Sequence, residues 1–118
     1  MTKTPGNKRE TGSVYEDMAA RYLTGQGYEI LERNFRDRLG EIDIIARQGG
    51  YLIFVEVKYR RDTGSGYPEE AVSRQKQQRI RHTASYYLYR RGYGEDVPCR
   101  FDVVSITGDE ILLFKNAF

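Results

Sequence analysis

The chain has 118 residues, the length of one domain, and its 39% hydrophobic and 31% charged residues exclude the disordered and membrane classes. The formal net charge of +2 is too small to indicate a nucleic-acid partner by itself, and the single cysteine, Cys99, excludes an intramolecular disulfide. No apolar run reaches the roughly 20 residues of a membrane span, and MTKTPGNKRE at the N-terminus lacks a signal-peptide core, so we expect a cytoplasmic protein without membrane partners.

The N-terminal half is predicted to contain a tail, a helix and three strands. Residues 1–10 are basic and lack periodicity, so we predict a flexible basic tail before a single domain over residues 11–118. The first helix is predicted from about Ser13, where Ser13 and Glu16 have the spacing of a capping box, to about Gln26. Strand-like runs then occupy residues 28–35, 41–47 and 51–59.

The C-terminal half is predicted to contain one long helix and two strands. The helix runs from about Glu69 to Arg91 and is stopped by Gly92. Its six basic residues, with no acidic residue among them, form a basic stripe that starts at Arg74. We interpret Arg74 as part of the solvent-exposed face of this helix. The alternative is contact with a nucleic-acid backbone, which basic residues beside aromatic ones also suit. The two strands occupy residues 100–106 and 111–114.

This order of elements predicts a mixed sheet with helices packed on it. Three strands joined by short loops favour an antiparallel meander. The strand after the long helix can lie parallel to a meander strand through a right-handed crossover. Gly49 and Gly50 predict a two-residue hairpin turn, in which Gln48 faces Tyr51.

Four charged side chains interrupt the two strands of this hairpin: Glu41, Asp43, Glu56 and Lys58. Burying an unpaired charge is costly, so these positions need an explanation. The hairpin register places Asp43 opposite Glu56 and Glu41 opposite Lys58. Strand alternation puts Glu41 and Asp43 on one face and predicts that the other face is shared by Ile42 and Ile44.

Opposed carboxylates on neighbouring strands lie about 5 Å apart at their Cβ atoms and repel each other. Mg²⁺ or Mn²⁺ would satisfy both groups and also binds phosphate oxygens. With Lys58 beside the carboxylates, the pattern indicates metal-assisted hydrolysis of a phosphodiester. The alternative interpretation is structural, with Glu41 paired to Lys58 and with Asp43 or Glu56 paired to an arginine elsewhere.

Two further charged residues allow both kinds of interpretation. Glu16 either closes the capping box or reaches the metal site from the edge of the helix's apolar face. Lys76 interrupts an apolar stripe of the long helix, where it either extends into solvent or, with Gln75, meets a substrate phosphate. We interpret His82 as a surface residue of this helix and Asp102 as the partner of a nearby arginine.

The sequence resembles the YraN-like family of small bacterial proteins, an uncharacterised group similar to archaeal Holliday-junction resolvases and to the restriction-endonuclease-like, PD-(D/E)xK superfamily. The likeness covers nearly the whole chain beyond the tail. Its motifs are Gly12-x-x-x-Glu16, GEIDII at residues 40–45, VEVKYR at residues 55–60, the Lys76 helix and RFDVV at residues 100–104. One departure from the wider superfamily is that Ile42, and not proline, precedes Asp43.

The resemblance implies a restriction-endonuclease-like α/β fold of three layers, with a mixed β-sheet and an αβββαβ core. It also implies Asp43 and Glu56 as metal ligands, Glu16 as an additional ligand and catalytic residue, and Lys58 as the catalytic lysine. The expected cofactor is Mg²⁺ or Mn²⁺.

The function expected from this resemblance is that of a metal-dependent nuclease or nuclease-like DNA-processing protein, acting on DNA and in particular on branched DNA. A homodimer suits a symmetric two-strand substrate. The expected nucleic-acid contacts come from Lys76, Gln75, Arg74 and Arg60. The alternatives are a non-catalytic nucleic-acid-binding module and a protein-interaction domain whose charges form structural pairs.

Overall fold

A computed structural model describes residues 8–60 and 72–118. Within these ranges the chain forms two helices and five strands in the order αβββαββ, as predicted. The elements are α1 (Lys8–Gly25), β1 (Glu29–Arg36), β2 (Glu41–Gln48), β3 (Tyr51–Arg60), α2 (Arg74–Arg90), β4 (Cys99–Thr107) and β5 (Glu110–Phe114). Over the same residues, neither helix has the combination of length and apolarity that a membrane span needs.

The five strands form one mixed sheet in the order β1-β2-β3-β4-β5. Strands β1, β2 and β3 are antiparallel neighbours, and β5 is antiparallel to β4. Strand β4 returns after α2 and lies parallel to β3 along its whole length. The predicted meander and the predicted parallel strand are therefore both confirmed.

The β2–β3 hairpin turns at two glycines. Gly49 has φ 57° and Gly50 has φ 85°, the left-handed values that a two-residue type I′ turn requires and that glycine adopts without strain. Gln48 pairs with Tyr51, and the same register continues to the pair formed by Ile44 and Val55. The register predicted from the two glycines is confirmed over these pairs.

Strands β2 and β3 separate at Asp43. In the described residues their regular pairing ends at Ile44, and Asp43 Oδ2 instead accepts the backbone N–H of Val57 at 2.8 Å. Ile42 packs in the core on the α2 side, whereas Ile44 packs on the α1 side. The sequence analysis predicted that Asp43 pairs with Glu56 across the two strands and that Ile42 shares a face with Ile44. Both predictions are wrong, because the side-chain carboxylate of Asp43 accepts a backbone N–H of β3 where regular strand pairing would use a backbone carbonyl.

Two hydrophobic cores lie on opposite faces of the sheet, since neighbouring residues of a strand point to opposite sides. On one face, α1 contributes Ala19 and Leu23, which pack with Ile44, Ile53, Val55 and Val104. On the other, α2 contributes Ile80, Ala84 and Tyr87, which pack with Ile45, Phe54 and Val103. Full burial of a large apolar side chain stabilises the fold by about 1.5–3 kcal/mol. The chain is thus a mixed α/β fold in which each helix covers one face of the sheet.

Helix α1 begins earlier than predicted. It starts at Lys8, so Ser13 lies inside the helix and cannot be its N-cap. The Ser-x-x-Glu spacing is a weak signal because it also occurs in helix interiors. Residues 8–10, predicted as tail, are helical, and residues 1–7 lie outside the described ranges.

Helix α2 begins at Arg74 in the described residues, and its predicted start at Glu69 lies outside them. Ser73 is its N-cap, with an extended backbone, and its Oγ accepts the N–H of Lys76 at 3.1 Å. Val72 is not helical but is 3% exposed and packs in the core with Ile80 and Ala84 of α2. The predicted stop at Gly92 is confirmed, since Gly92 has φ 74° directly after the C-cap Arg91.

A buried polar network lies between the start of β4 and the α1 side of the sheet. Asp102 is fully buried and accepts hydrogen bonds from the guanidinium of Arg100, as predicted. It also accepts the hydroxyl of Tyr28 at 2.7 Å and the backbone N–H of Asn116 at 2.9 Å. Asp102 is therefore a structural residue whose charge and hydrogen-bonding capacity are both satisfied.

Candidate metal and nucleic-acid site

The separation of β2 and β3 creates two adjoining clefts. One has a volume of about 650 Å³ and the other about 250 Å³. Three charged residues from three elements line both clefts: Asp43 of β2, Glu56 of β3 and Lys76 of α2. Glu16 and Lys58 line the larger cleft, and Glu41 and Arg79 line the smaller one. The predicted catalytic residues of α1, β2 and β3 thus come together where the sheet opens, and Lys76 of α2 lies with them.

Three carboxylates form an acidic cluster within this region. One oxygen each from Glu16, Glu41 and Asp43 lies within 4.8 Å of the others, and all three residues are partly buried. Glu16 is therefore brought next to Asp43, and the capping-box interpretation of Glu16 is wrong. The structural alternative paired Glu41 with Lys58, but Glu41 forms an ion pair with Arg36 of β1 at 3.4 Å. Glu41 lies two residues before Asp43 on β2, and this spacing could have identified Glu41 as a member of the cluster.

Glu56 is held separately by the second helix. Its side chain is only 5% exposed, and its Oε1 accepts a hydrogen bond from Lys76 Nζ at 2.7 Å. Burial acts to lower the pKa of Lys76, but the neighbouring carboxylate of Glu56 outweighs it, so that this pKa is raised. The first turns of α2 therefore lie over the carboxylates, and the ammonium of Lys76 is bound to one of them.

Lys76→Ala is expected to destabilise the metal-free protein by roughly 1–3 kcal/mol, because it leaves the buried carboxylate of Glu56 without a cation. The lower end of this range is expected, since 41% of the Lys76 side chain is exposed and water replaces part of the interaction. Urea unfolding in EDTA measures the change. Arg79→Ala is the matched control, an exposed basic residue three positions along α2, and should change stability by less than about 0.5 kcal/mol. Equal losses in the two variants would contradict the assignment.

Positive charge compensates the acidic cluster only in part, since Arg36 lies at Glu41 and Arg33 at Glu16, but no ion pair within the described residues involves Asp43. Burial, followed by the negative charge of Glu56, raises the pKa of Asp43 well above its usual range, although the N–H of Val57 partly offsets this. Burial also raises the pKa of Glu16, against the opposing effect of Arg33 at 3.7 Å. The buried Oε1 of Glu16 has no hydrogen-bond partner in the described residues. A buried carboxylate oxygen without a hydrogen-bond partner, next to two further carboxylates, belongs to a donor set that suits an oxygen-preferring divalent cation.

Lys58 lies beside this cluster in the larger cleft. Burial and then the positive charge of Lys76 lower the pKa of its ammonium, while Glu56 and Asp43 act in the opposite direction. A lysine in this environment remains a hydrogen-bond donor but releases a proton more readily than a lysine in water.

Asp37, a loop residue that was not predicted from the sequence, connects the start of β2 to α2. Asp37 Oδ1 accepts the N–H groups of Leu39 and Gly40 and the hydroxyl of Thr83, at 2.8 to 2.9 Å. Burial acts to raise the pKa of Asp37, but these hydrogen bonds outweigh it and lower the pKa. His82 is exposed and its Nδ1 lies 3.1 Å from Asp37 Oδ2, so His82 is part of this attachment. An aspartate three residues before a glycine is a local turn signal that could have identified it.

The predicted nucleic-acid contacts are only partly brought together. Of the basic residues of α2 in the described part of the chain, Lys76 and Arg79 line the clefts. Arg74 and Gln75 lie exposed just before them at the start of the helix. Arg60 is half-buried at the end of β3.

Comparison with known proteins places the chain in a family. Residues 15–106 match "Uncharacterised protein family UPF0102". A UPF0102 protein of Lachnoclostridium phytofermentans is 58% identical over 112 residues, covering 95% of both chains. A UPF0102 protein of Persephonella marina is 49% identical over 108 residues, covering 91% of both. One solved structure, "Crystal structure of SSO0001", is similar with a TM-score of 0.48 and 17% identity, over 94% of this chain and 52% of that one. The chain belongs to the UPF0102 family, the uncharacterised YraN-like family that its motifs resemble.

Proposed function

We propose that the protein is a metal-dependent nuclease that hydrolyses phosphodiester bonds in DNA. The observation that carries this proposal is the partly buried cluster of Glu16, Glu41 and Asp43, whose oxygens lie within 4.8 Å of one another beside Lys58. Arg33 and Arg36 lie near Glu16 and Glu41, but Asp43, unlike Asp102, has no ion-pair partner in the described residues, and buried like charges of this kind are costly. Their persistence next to an open cleft suits a site that binds a cation and a phosphate.

The residues that would hold the cation are Glu16, Glu41 and Asp43, with Glu56 as a further ligand if Lys76 releases it. A divalent cation at such a site supplies electrophilic stabilisation of the negative charge that develops on a phosphate during hydrolysis. The donors are all carboxylate oxygens, which Mg²⁺ and Mn²⁺ prefer.

The remaining roles belong to the cationic side chains of the clefts. Lys58 Nζ would donate hydrogen bonds to the phosphate, and its lowered pKa favours transfer of a proton from Nζ to the departing oxygen. Lys76 and Arg79 would neutralise phosphate charge at the mouth of the smaller cleft. The apolar cores on either side hold the two strands and both helices in place, so these groups need little rearrangement to act.

A fold of the restriction-endonuclease-like class belongs to the same proposal. The αβββαβ order, the mixed sheet and the position of Asp43, Glu56 and Lys58 beside the strand separation support it. A branched DNA substrate and a homodimer belong to the same proposal, since a two-fold pair of sites suits the cutting of two strands.

The test is a cleavage assay of the purified protein on labelled duplex, single-stranded, flap and four-way-junction DNA, with Mn²⁺, Mg²⁺ or EDTA. We expect metal-dependent products, and Lys58→Ala should lower the rate by roughly 100-fold or more. Lys115→Ala is the control, since Lys115 is exposed and lines neither cleft. Products that persist in EDTA, or in Lys58→Ala at the wild-type rate, would count against the proposal.

The second candidate function is a non-catalytic nucleic-acid-binding module. The ion pair of Lys76 with Glu56 favours it, because this pair already neutralises one of the predicted ligands. Such a module would bind DNA with an affinity that falls steeply with salt and is indifferent to Mn²⁺. Binding of this kind without any products would replace the nuclease proposal.

A further inference from the structure

Two tyrosine rings lie stacked at the rim of the larger cleft. Tyr15 of α1 and Tyr59 of β3 have ring centroids 3.8 Å apart and an interplanar angle of 16°. Both residues line the same cleft of about 650 Å³ that contains Asp43 and Lys58. The aromatic pair is therefore part of the wall of the proposed active-site cleft.

Tyr59 keeps much of its surface in solvent. Its exposed fraction is 39%, whereas Tyr87, a tyrosine of the α2-side core, is 2% exposed. The exposed ring of Tyr59 is not needed to hold α1 against the sheet. Ala19 and Leu23 of α1 already make that contact and are fully buried. A large aromatic side chain that is exposed in a cleft with two lysines indicates a surface for a flat ligand.

The neighbouring charges define the ligand further. Lys58 and Lys76 line the cleft that contains Tyr59, and lysine ammonium groups bind phosphate as point charges. A nucleotide is the ligand that combines a flat apolar face with a phosphate. The cleft volume lies within the range of about 300–1,000 Å³ that is usual for small-ligand sites.

We propose that Tyr59, backed by Tyr15, is a stacking platform for an unpaired nucleobase, so that the cleft selects single-stranded nucleotides or the branch point of a junction over continuous duplex. In a duplex each base is already stacked on its neighbours, and only an unpaired base offers a free face. The inference rests on the proposed function, in that the cleft is taken to receive nucleic acid, and it adds the substrate class.

The test measures binding in EDTA, where metal-dependent cleavage does not occur. One probe is a single-stranded DNA oligonucleotide carrying 2-aminopurine, whose fluorescence is quenched when it stacks, and the other is a blunt duplex of the same sequence. We expect the wild type to quench 2-aminopurine and to bind the single strand more tightly than the duplex. Tyr59→Leu, which keeps an apolar contact with Tyr15, should weaken single-strand binding about tenfold and change duplex binding less than about twofold. Tyr59→Phe, which keeps the ring, should bind like the wild type.

Tyr89→Leu is the matched control, because Tyr89 is 80% exposed on α2 and lines neither cleft. Equal weakening of both probes by Tyr59→Leu, or no change in either, would overturn the inference, as would a wild type that prefers the duplex. Circular dichroism establishes that each variant is folded. Because no cleavage is involved, failure of the nuclease proposal is seen separately, as an absence of metal-dependent products from a protein whose Tyr59-dependent binding is intact.

Discussion

Asp43→Asn is expected to lower DNA cleavage by roughly 1,000-fold or more while leaving DNA binding unchanged or tighter. Asp43 lies in both clefts and in the acidic cluster, and an amide is a far weaker ligand for a divalent cation than a carboxylate. Removing a negative charge from the cleft also reduces repulsion of the DNA backbone. The measurement is a single-turnover cleavage rate in Mn²⁺, with the dissociation constant determined in EDTA.

Asp109→Asn is the control for the loss of one negative charge outside the cleft, since Asp109 is exposed in the turn between β4 and β5. It should cleave at the wild-type rate. If Asp43→Asn cleaves as fast as this control, Asp43 is not a ligand, and the acidic cluster then requires a structural explanation.

The same substitution should stabilise the metal-free protein, and increasingly so as the pH rises. Burial and Glu56 raise the folded-state pKa of Asp43 above its usual value of 3.8, so the folded protein binds this proton more tightly than the unfolded chain does. The stability contributed by that proton is complete below the unfolded pKa and is lost as the pH rises through the folded pKa. The amide of the Asp43→Asn variant has no such proton to lose, and its oxygen can still accept the N–H of Val57.

Thermal unfolding in EDTA from about pH 5 to about pH 8 measures this difference. We expect the melting temperature of the variant to exceed that of the wild type by an amount that grows across the range, and Mn²⁺ to stabilise only the wild type. Glu32 and Asp37, whose pKa values are lowered, contribute equally in both proteins and cancel in the difference. A difference that is constant with pH would contradict the electrostatic account.

Asp102→Ala is expected to destabilise the protein by about 3–5 kcal/mol, the usual cost of removing one partner of a buried ion pair. Asp102 has no exposed surface. Its carboxylate accepts hydrogen bonds from Arg100 Nε at 2.9 Å and from the hydroxyl of Tyr28 at 2.7 Å. Without the carboxylate, the guanidinium of Arg100, whose side chain is only 15% exposed, loses its counterion. Loss on this scale is a large share of the roughly 5–15 kcal/mol that stabilises a typical domain.

Urea unfolding compares Asp102→Ala with two further variants. Asp102→Asn keeps the shape and part of the hydrogen bonding, so it should lose less stability than the alanine variant. Arg100→Met combined with Asp102→Leu replaces the pair by apolar groups and should recover a large part of the loss, because no uncompensated charge remains buried. A double variant less stable than Asp102→Ala would show that shape, and not charge compensation, dominates at this position.

The sequence by itself determined the kinds of element, their order and the mixed sheet, because helix and strand periodicity and glycine turns are local properties. The Gly49-Gly50 turn was enough to set the β2–β3 register as far as Ile44. The positions of Asp43, Glu56 and Lys58 on those strands followed from the same local rules.

Only the tertiary structure decided how the charges are grouped. Strand alternation assumes a continuous ladder, so it could not predict that Asp43 accepts the N–H of Val57 and ends the pairing, which moves Ile42 to the other core. Which carboxylate a helix reaches depends on contacts between residues far apart in sequence. That is why Glu56 is bound by Lys76, and why Glu41 joins Glu16 and Asp43. Local patterns thus place the charged residues on their elements, and packing of the elements decides which of those charges meet.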